Sequence, residues 1–273
     1  MKKTDTKIIE REFMPLNRYL STAGVCSRRN AADYVKKGDV KVNGVVIVNP
    51  AFKVTDKDTV TFKNKLVRPE KKIYLLLNKP KDYITTRLDE RGRKTVMHLI
   101  KGDFKERVYP VGRLDRATTG LLLITNDGDL SQRLSHPRFE VKKIYNVSLD
   151  RPFKVEDIKE MRQGVKLRDG FIAADKIMYA TVKSKKHVKI EIHSGKNRVV
   201  RRMFKYLGYN VLKLDRINYA GLTKKGLPVG RWRKLTKNEI IYLKKFGDIK
   251  KHEKFSKKGR QDGLSKKVAK KKF

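Results

Sequence analysis

A chain of 273 residues with 38% hydrophobic residues has room and apolar material for one large domain or two smaller ones. Charged residues reach 36%, against about a quarter in ordinary domains, and the net charge is +40, an excess that strains a compact chain and that a polyanion would relieve, RNA foremost and an anionic membrane surface as the alternative. No apolar run approaches the roughly 18 residues of a transmembrane helix, and Met1 to Lys7 lacks the apolar core of a signal peptide, so neither a membrane span nor secretion is expected.

Residues 1–13 are charged and aperiodic and read as a loose arm. Leu16, Leu20 and Ala23 share one helical face, and Gly24 stops the turn. Cys26, the single cysteine, cannot form an internal disulfide, which fits a reducing cytoplasm; it reads as a small, partly buried residue. Ser27 can cap a second helix running to Lys37, with Ala31, Tyr34 and Val35 apolar, before Gly38. Alternating valines from Val40 to Val48 flank Asn43-Gly44, a hairpin signal, and a third strand from Thr59 to Phe62 follows the Lys57-Asp58 turn.

Two helices and a small sheet carrying Arg18, Arg28, Arg29, Lys36, Lys37 and Lys41 make an electropositive RNA-binding module, or else a solvated basic hairpin with no ligand. Leu16-Asn17-Arg18-Tyr19-Leu20, Gly24-Val25-Cys26-Ser27-Arg28-Arg29 and Val42-Asn43-Gly44 together resemble the alpha-L RNA-binding domain of a small-subunit ribosomal protein and several RNA-modifying enzymes.

The expected organisation is an alpha-L domain over 14–67, a linker over 68–72 inside the polar stretch Lys65 to Lys72, a catalytic domain over 73–247 and a Lys-rich tail over 248–273. The second domain opens with a buried strand at Ile73 to Pro80. Later come a helix from Asp129 to Leu134, a strand from Lys142 to Leu149, a helix from Val155 to Arg162 and a strand from His187 to His193. A helix from Asn197 to Leu207, a strand from Val211 to Tyr219 and a helix from Asn238 to Phe246 complete it. Strands dominate without a regular βαβ rhythm, which predicts an α+β fold with a mixed or largely antiparallel sheet. The tail from residue 249 holds ten Lys and one Arg against two acids, without apolar periodicity, and reads as disordered.

Three segments carry the chemistry. Val111-Gly112-Arg113-Leu114-Asp115 precedes Thr118-Thr119-Gly120-Leu121-Leu122-Leu123-Ile124-Thr125 and places Asp115 in an Arg-flanked turn between apolar strand-like runs. An Asp in a turn is usually a turn-former; here Arg113, Arg116 and the apolar wall make a nucleophile or base plausible chemistry. In Val141 to Val147, alternation puts Lys143, Tyr145 and Val147 on one face, so Tyr145 is either a stacking platform or a core tyrosine. In His193 to Gly208, Val200, Met203, Phe204 and Leu207 form a core stripe, and Arg198, Arg201, Arg202 and Lys205 a cationic one; Arg202 and Lys205 read as solvated. Gly195 and Asn197 would place backbone donors at a helix N-terminus, a phosphate site.

In this order, G-R-L-D with T-x-G-L-L-L-x-T-x-D-G, K-x-Y and G-x-N-R-x-V-R-R-M resemble the ribosomal RNA pseudouridine synthases grouped with small-subunit synthase A, nearest the large-subunit synthase B branch. The resemblance spans about residues 14 to 246 and includes His136-Pro137, Gly164-Val165, Asp169-Gly170, Leu227-Pro228 and Gly230-Arg231-Trp232. It implies that Asp115 is the essential aspartate, attacking ribose or uracil, and that Tyr145 stacks on the uracil and helps remove the C5 proton. It also implies that Arg201 pairs with the aspartate, favouring its carboxylate form and fixing its rotamer, and that Leu214 lines the uracil pocket. Arg113, Lys143, Asn197 and Arg198 are expected at the substrate. Before the third motif, where the family often carries Glu-Gly, this chain has His193-Ser194-Gly195, and Val199 stands where the family often carries Gln or Glu, which bears on substrate contacts.

Such an isomerisation needs no cofactor. The chain has no Walker loop, no G-x-G-x-x-G and no paired histidines for zinc. Asn126-Asp127-Gly128-Asp129 lacks the twelve-residue calcium pattern and reads as a turn with Asp129 capping the next helix. The expected protein is therefore a cytoplasmic, monomeric rRNA pseudouridine synthase without membrane contact. A non-catalytic ribosome-assembly factor is the alternative, against which Asp115, Tyr145 and Arg201 together argue, and a DNA-binding architectural protein is a third class. Deleting residues 249–273 should flatten the plot of log RNA affinity against log salt; an unchanged slope would make the tail a bystander.

Overall fold

The computed structural model describes residues 13–87, 89–100 and 104–245. The expected arm before residue 13, the tail and Phe246 lie outside the described residues. The chain divides into two compact units, one formed mainly by residues up to Lys72 and the other beginning at Ile73.

The first unit contains β1 (Met14–Pro15), α1 (Leu16–Thr22), α2 (Arg28–Lys36), β2 (Val40–Val42), β3 (Val45–Val46), β4 (Lys53–Val54), β5 (Val60–Phe62) and β6 (Lys65–Leu66). Ser27 caps α2 by accepting from the Asn30 backbone N–H at 3.2 Å. Asn43 and Gly44 both take positive φ, as a two-residue hairpin turn between β2 and β3 requires. Leu16, Leu20, Ala31, Val35, Val40, Val54 and Val60 form its buried core. Lys65 and Leu66, in the polar stretch ahead of the expected linker, pair with Thr61 and Phe62 and extend the sheet to the order β3-β2-β5-β6. Polar composition hid this edge strand, because neither of its side chains is buried. Arg28, Arg29, Lys36 and Lys37 are exposed, while Arg18 and Lys41 are half-buried.

The second unit contains β7 (Tyr74–Lys79), β8 (Tyr109–Pro110), β9 (Thr119–Thr125), α3 (Gly128–Ser135), β10 (Lys143–Leu149), α4 (Val155–Gln163), β11 (Val165–Leu167), β12 (Gly170–Ile172), β13 (Lys176–Tyr179), β14 (His187–Ile192), α5 (Val199–Tyr206), β15 (Val211–Tyr219), β16 (Leu222–Thr223) and β17 (Trp232–Lys234). A final helix, α6, covers 237–245. The fold is α+β. Its nine-stranded sheet runs β13-β14-β10-β15-β9-β7-β17, with β16 on β15 and β8 on β9. Among the described strands of this sheet, only the β15–β9 pairing is parallel.

Apolar runs in β7 and β9 follow from burial on both faces. Leu75, Leu77, Leu122 and Ile124 enter one core, while Tyr74, Leu76, Leu121 and Leu123 enter the other. Each such leucine contributes about 1.5–3 kcal/mol. Tyr145, Val147, Ile190, Met203 and Phe204 belong to the first core, and Leu130, Leu134, Tyr219 and Leu243 to the second.

Two starting points differ from expectation. Asp127, not Asp129, caps α3: its carboxylate accepts from the Leu130 N–H at 3.2 Å and from the Tyr74 hydroxyl at 2.7 Å. The helix α5 begins at Val199, because Arg198 adopts a left-handed φ of 49°, so Asn197 lies in the preceding loop and the expected phosphate-binding helix start is not formed there. The β11–β12 hairpin, β13, β16 and β17 were not anticipated; each is short or carries exposed residues that blur period-two alternation.

Gly120 fixes the approach of β9 to β15. Its φ is +104°, and a Cβ there would fall 2.3 Å from the Arg216 carbonyl oxygen and 2.6 Å from the Arg216 backbone nitrogen. Gly120→Ala should destabilise the second unit by about 2–4 kcal/mol, combining overpacking with backbone strain, as read by urea unfolding; wild-type stability would mean that the two strands can separate at low cost.

Candidate active site

The site is built where β9 enters the sheet. Parallel pairing sets Thr119 against Asp215 and Gly120 against Arg216, so the turn before β9 lies at the start of a rigid ladder. Val111 donates to the Leu123 carbonyl at 2.8 Å, and Gly112 takes a φ of 68° to begin the turn. Thr85 ties Leu114 by both backbone groups, donating to its carbonyl at 2.8 Å and accepting from its N–H at 3.2 Å. Thr118 donates to the Asp115 carbonyl at 3.0 Å and closes the turn.

Lys79 holds this turn from beneath. It is fully buried at the end of β7 and donates to the carbonyls of Thr118 at 2.8 Å, Pro80 at 2.9 Å and Arg116 at 3.2 Å. Burial pulls its ammonium down to about 8, and the nearby Asp82 and Asp115 carboxylates work against that fall. Arg116 is also tied to Asp82 through its carbonyl, at 2.9 Å, and its side chain, at 3.2 Å. Asp115 is thereby presented with its side chain about a third exposed, 32%.

Opposite Asp115 stands Arg201, projecting from α5. Its Nε lies 3.9 Å from the Asp115 carboxylate, a loose ion pair and not the close fork that would fix a rotamer alone. Its Nη1 donates to the Val211 carbonyl at 2.8 Å, so the guanidinium is anchored to β15. Burial lowers the Arg201 pKa, neighbouring Arg198 adds to this, and Asp115 opposes it.

A cavity of about 150 Å³ opens beside Asp115, lined by Arg113, Asp115, Lys143, Tyr145, Arg198 and Leu214, among others. It adjoins a more polar cleft of about 660 Å³ that reaches Arg113, Asp115, Asn197 and Arg198. Tyr145 pairs across the ladder with Arg216, and Val147 with Leu214, so β10 and β15 present these side chains to one face. Tyr145 is 8% exposed; it joins the apolar core and also lines the cavity. Lys143 donates to the carbonyls of Val141 and His193 at 2.9 Å each and to Ser194 at 3.5 Å. Burial pulls it down to about 8, with Arg216 lowering it further and Asp175 opposing. Its geometry is that of a brace for the loop before α5.

The sequence-predicted residues Asp115, Tyr145, Arg113, Leu214, Lys143 and Arg198 thus meet at one cavity, Arg201 meets Asp115, and Asn197 lies on the adjoining cleft. Arg202 is not a solvated cation, because Asp169 takes it in a two-pronged pair at 2.7 and 2.9 Å; Lys205 is exposed. His193, at a departure from the family pattern, pairs with Asp175 at 2.7 Å. Sequence reasoning missed Lys79, Thr118 and Arg216. A charged residue ending the apolar run before Pro80 was the available signal for Lys79. Among the described residues, no group of three or more His, Cys, Asp or Glu is placed to hold a metal, and no helix is long and apolar enough to cross a membrane.

Residues 73–206 match the model described as RNA pseudouridylate synthase, and residues 14–60 match the S4 domain, the alpha-L module. A Bacillus subtilis protein named ribosomal large subunit pseudouridine synthase B is 39% identical over 236 residues, covering 85% of this chain and 96% of its own. The chain belongs to the RNA pseudouridine synthase family. The Escherichia coli dual-specificity RNA pseudouridine synthase RluF is 33% identical over 239 residues, covering 84% of this chain and 77% of its own. A solved structure titled crystal structure of pseudouridylate synthase superposes with a TM-score of 0.61 at 26% identity, covering 84% of this chain and 99% of that one. The protein is thus a pseudouridine synthase with an S4 domain ahead of its catalytic unit.

Lys79→Met would remove the donor shared by three backbone carbonyls, among them the buried carbonyl of Thr118. Pseudouridine formation should fall roughly 10- to 100-fold in kcat while RNA affinity holds; an undiminished kcat would mean that the turn supports itself.

Proposed function

We propose that the protein isomerises one uridine of large-subunit ribosomal RNA to pseudouridine, as a monomer in a bacterial cytoplasm. We place it among the synthases grouped with small-subunit synthase A, nearest the branch of large-subunit synthase B. The observation that carries the catalytic assignment is that Asp115 faces Arg201 at 3.9 Å on the rim of a cavity that also holds Tyr145 and Leu214. The name of the Bacillus subtilis relative, which specifies the large ribosomal subunit, supports the choice of RNA.

In this reading the target uridine is unstacked and extruded, at a cost of a few kcal/mol. Its base enters the cavity, with Leu214 on its apolar side and Tyr145 against its ring. Asp115 attacks ribose or uracil and permits the N1–C1′ bond to break, its electron pair passing to the base. The base turns, C5 bonds to C1′, the bond between Asp115 and the substrate breaks to free the carboxylate, Tyr145 helps remove the C5 proton, and N1 gains a proton. One C–N bond has become a C–C bond with no change in oxidation state. Arg201 steadies the Asp115 charge, and Lys143 braces the loop that carries Gly195 to Arg198. Arg113, Asn197 and Arg198 meet the RNA backbone in the larger cleft, where cations offset phosphate charge. Arg18, Arg28, Arg29, Lys36, Lys37 and Lys41 give the S4 domain its RNA-binding surface.

The test is tritium release from C5-labelled uridine in unmodified large-subunit rRNA, with Asp115→Asn beside the wild type. Release by the wild type and none by the variant, which should retain RNA binding, is expected. Release by Asp115→Asn would remove this carboxylate from the mechanism. No release by either protein from large- or small-subunit rRNA would favour the assembly-factor reading.

A further inference from the structure

Arg216 has no part in the roles assigned above, yet it lines the same cavity as Asp115 and Tyr145. It lies in the middle of the sheet, opposite Tyr145 on one side and Gly120 on the other. It is 3% exposed. Its Nε donates to the Leu121 carbonyl at 2.7 Å, and its guanidinium carbon sits 4.5 Å from the centre of the Tyr219 ring. The ring attracts the cation but accepts no conventional hydrogen bond at a lone pair. Nη2 is buried and has no hydrogen-bond partner. Thr118, which lines the same cavity and is 2% exposed, has a buried hydroxyl in the same condition.

Arginine remains charged at any working pH, and a buried charged donor without an acceptor is costly. An unsatisfied group of this kind calls for an explanation, and a ligand that supplies the acceptor is one. The cavity of about 150 Å³ is of a size that accepts a six-membered ring. Uracil offers two carbonyl oxygens and one N–H on such a ring. Phosphate is the poorer candidate, because it would have to enter the narrow part of the site, beside Tyr145 and Leu214, where the wall is aromatic and aliphatic.

Resting on the reading that uridine is the substrate, we propose that Arg216 is a further catalytic residue: its guanidinium donates to a carbonyl oxygen of the target uracil and stabilises the negative charge the base gains when the N1–C1′ bond breaks. The electron pair of that bond goes to N1 and spreads onto the carbonyl oxygens, so the cation binds the departing base more tightly than the intact nucleoside. That is the condition for raising kcat and not merely lowering KM. Leu121 and Tyr219 hold the guanidinium in the cavity wall, so only a small local shift brings its free donor to the base. Thr118 stands by as a second polar group for the ring edge.

The test compares RNA carrying uridine, 2-thiouridine or 4-thiouridine at the target position, each labelled at C5, with wild type, Arg216→Lys and Arg216→Met. Sulfur is a poor hydrogen-bond acceptor, so the wild type should lose roughly 10-fold or more in kcat on one of the two thio substrates. Both variants should lose roughly 10- to 100-fold in kcat on uridine RNA, and the thio penalty should shrink toward unity in Arg216→Met. Thermal unfolding of both variants separates misfolding from lost chemistry, and Arg216→Lys, which keeps the charge, preserves the test if Arg216→Met does not fold. A thio penalty in the wild type that persists undiminished in folded variants would overturn the proposal, as would the absence of any penalty on either thio substrate. A wild type inactive on uridine RNA would instead overturn the functional reading on which the proposal rests.

Discussion

The whole site depends on one buried ammonium. Lys79 is placed by β7 under the turn that presents Asp115, and its three N–H donors meet three backbone carbonyls, two of which follow Asp115 within three residues. Burial of a lysine is costly unless it is hydrogen-bonded throughout, and here the loop itself supplies the acceptors. A short turn that would otherwise move relative to the sheet is thus bound to its most buried strand. The position of Asp115 is set by main-chain geometry before any substrate arrives.

Around that fixed carboxylate, the structure arranges cations of different kinds. Arg201 is anchored to Val211 and stays within ion-pair range of Asp115. Lys143 is spent on the carbonyls of the loop before α5. Arg202 is neutralised by Asp169. Arg216 is sealed inside with donor capacity left over. A net charge of +40 therefore hides a division of labour: exposed cations serve long-range attraction to a polyanion, whereas the few buried ones are committed to particular oxygens, and their value lies in geometry.

The family's motifs were legible because chemistry concentrates in contiguous runs. The Asp115 turn, the Lys143–Tyr145 alternation and the Arg198–Arg201 segment each read as a local pattern. Their assembly was not local. Asp115 and Arg201 are 86 positions apart, and they meet because β9 and β15 pair in parallel while α5 leads into β15. The α5 start was placed two residues early because composition does not reveal that Arg198 takes a left-handed backbone, after which the helix begins at Val199. The capping role fell to Asp127 over Asp129 because the Tyr74 hydroxyl, on a distant strand, also calls for that carboxylate. Short strands such as Lys65–Leu66 escaped notice because their exposed side chains leave no alternation.

By itself the sequence determined the α+β class, the need for an anionic partner, the two apolar strands of the sheet's centre and the identity of the carboxylate, tyrosine and arginine. The first three follow from composition and from short-range periodicity, which are properties of the chain before it folds; the carboxylate, tyrosine and arginine were indicated only by the resemblance of their motifs to a family. Only the tertiary structure decided that Lys79 would lie under the Asp115 turn and that Arg216 would face Tyr145 with an unfilled donor. Both depend on strand register, and register is set by the joint burial of residues far apart in the chain. A lysine at a strand end and an arginine in a central strand look alike in sequence; which oxygens they meet is a fact of packing alone.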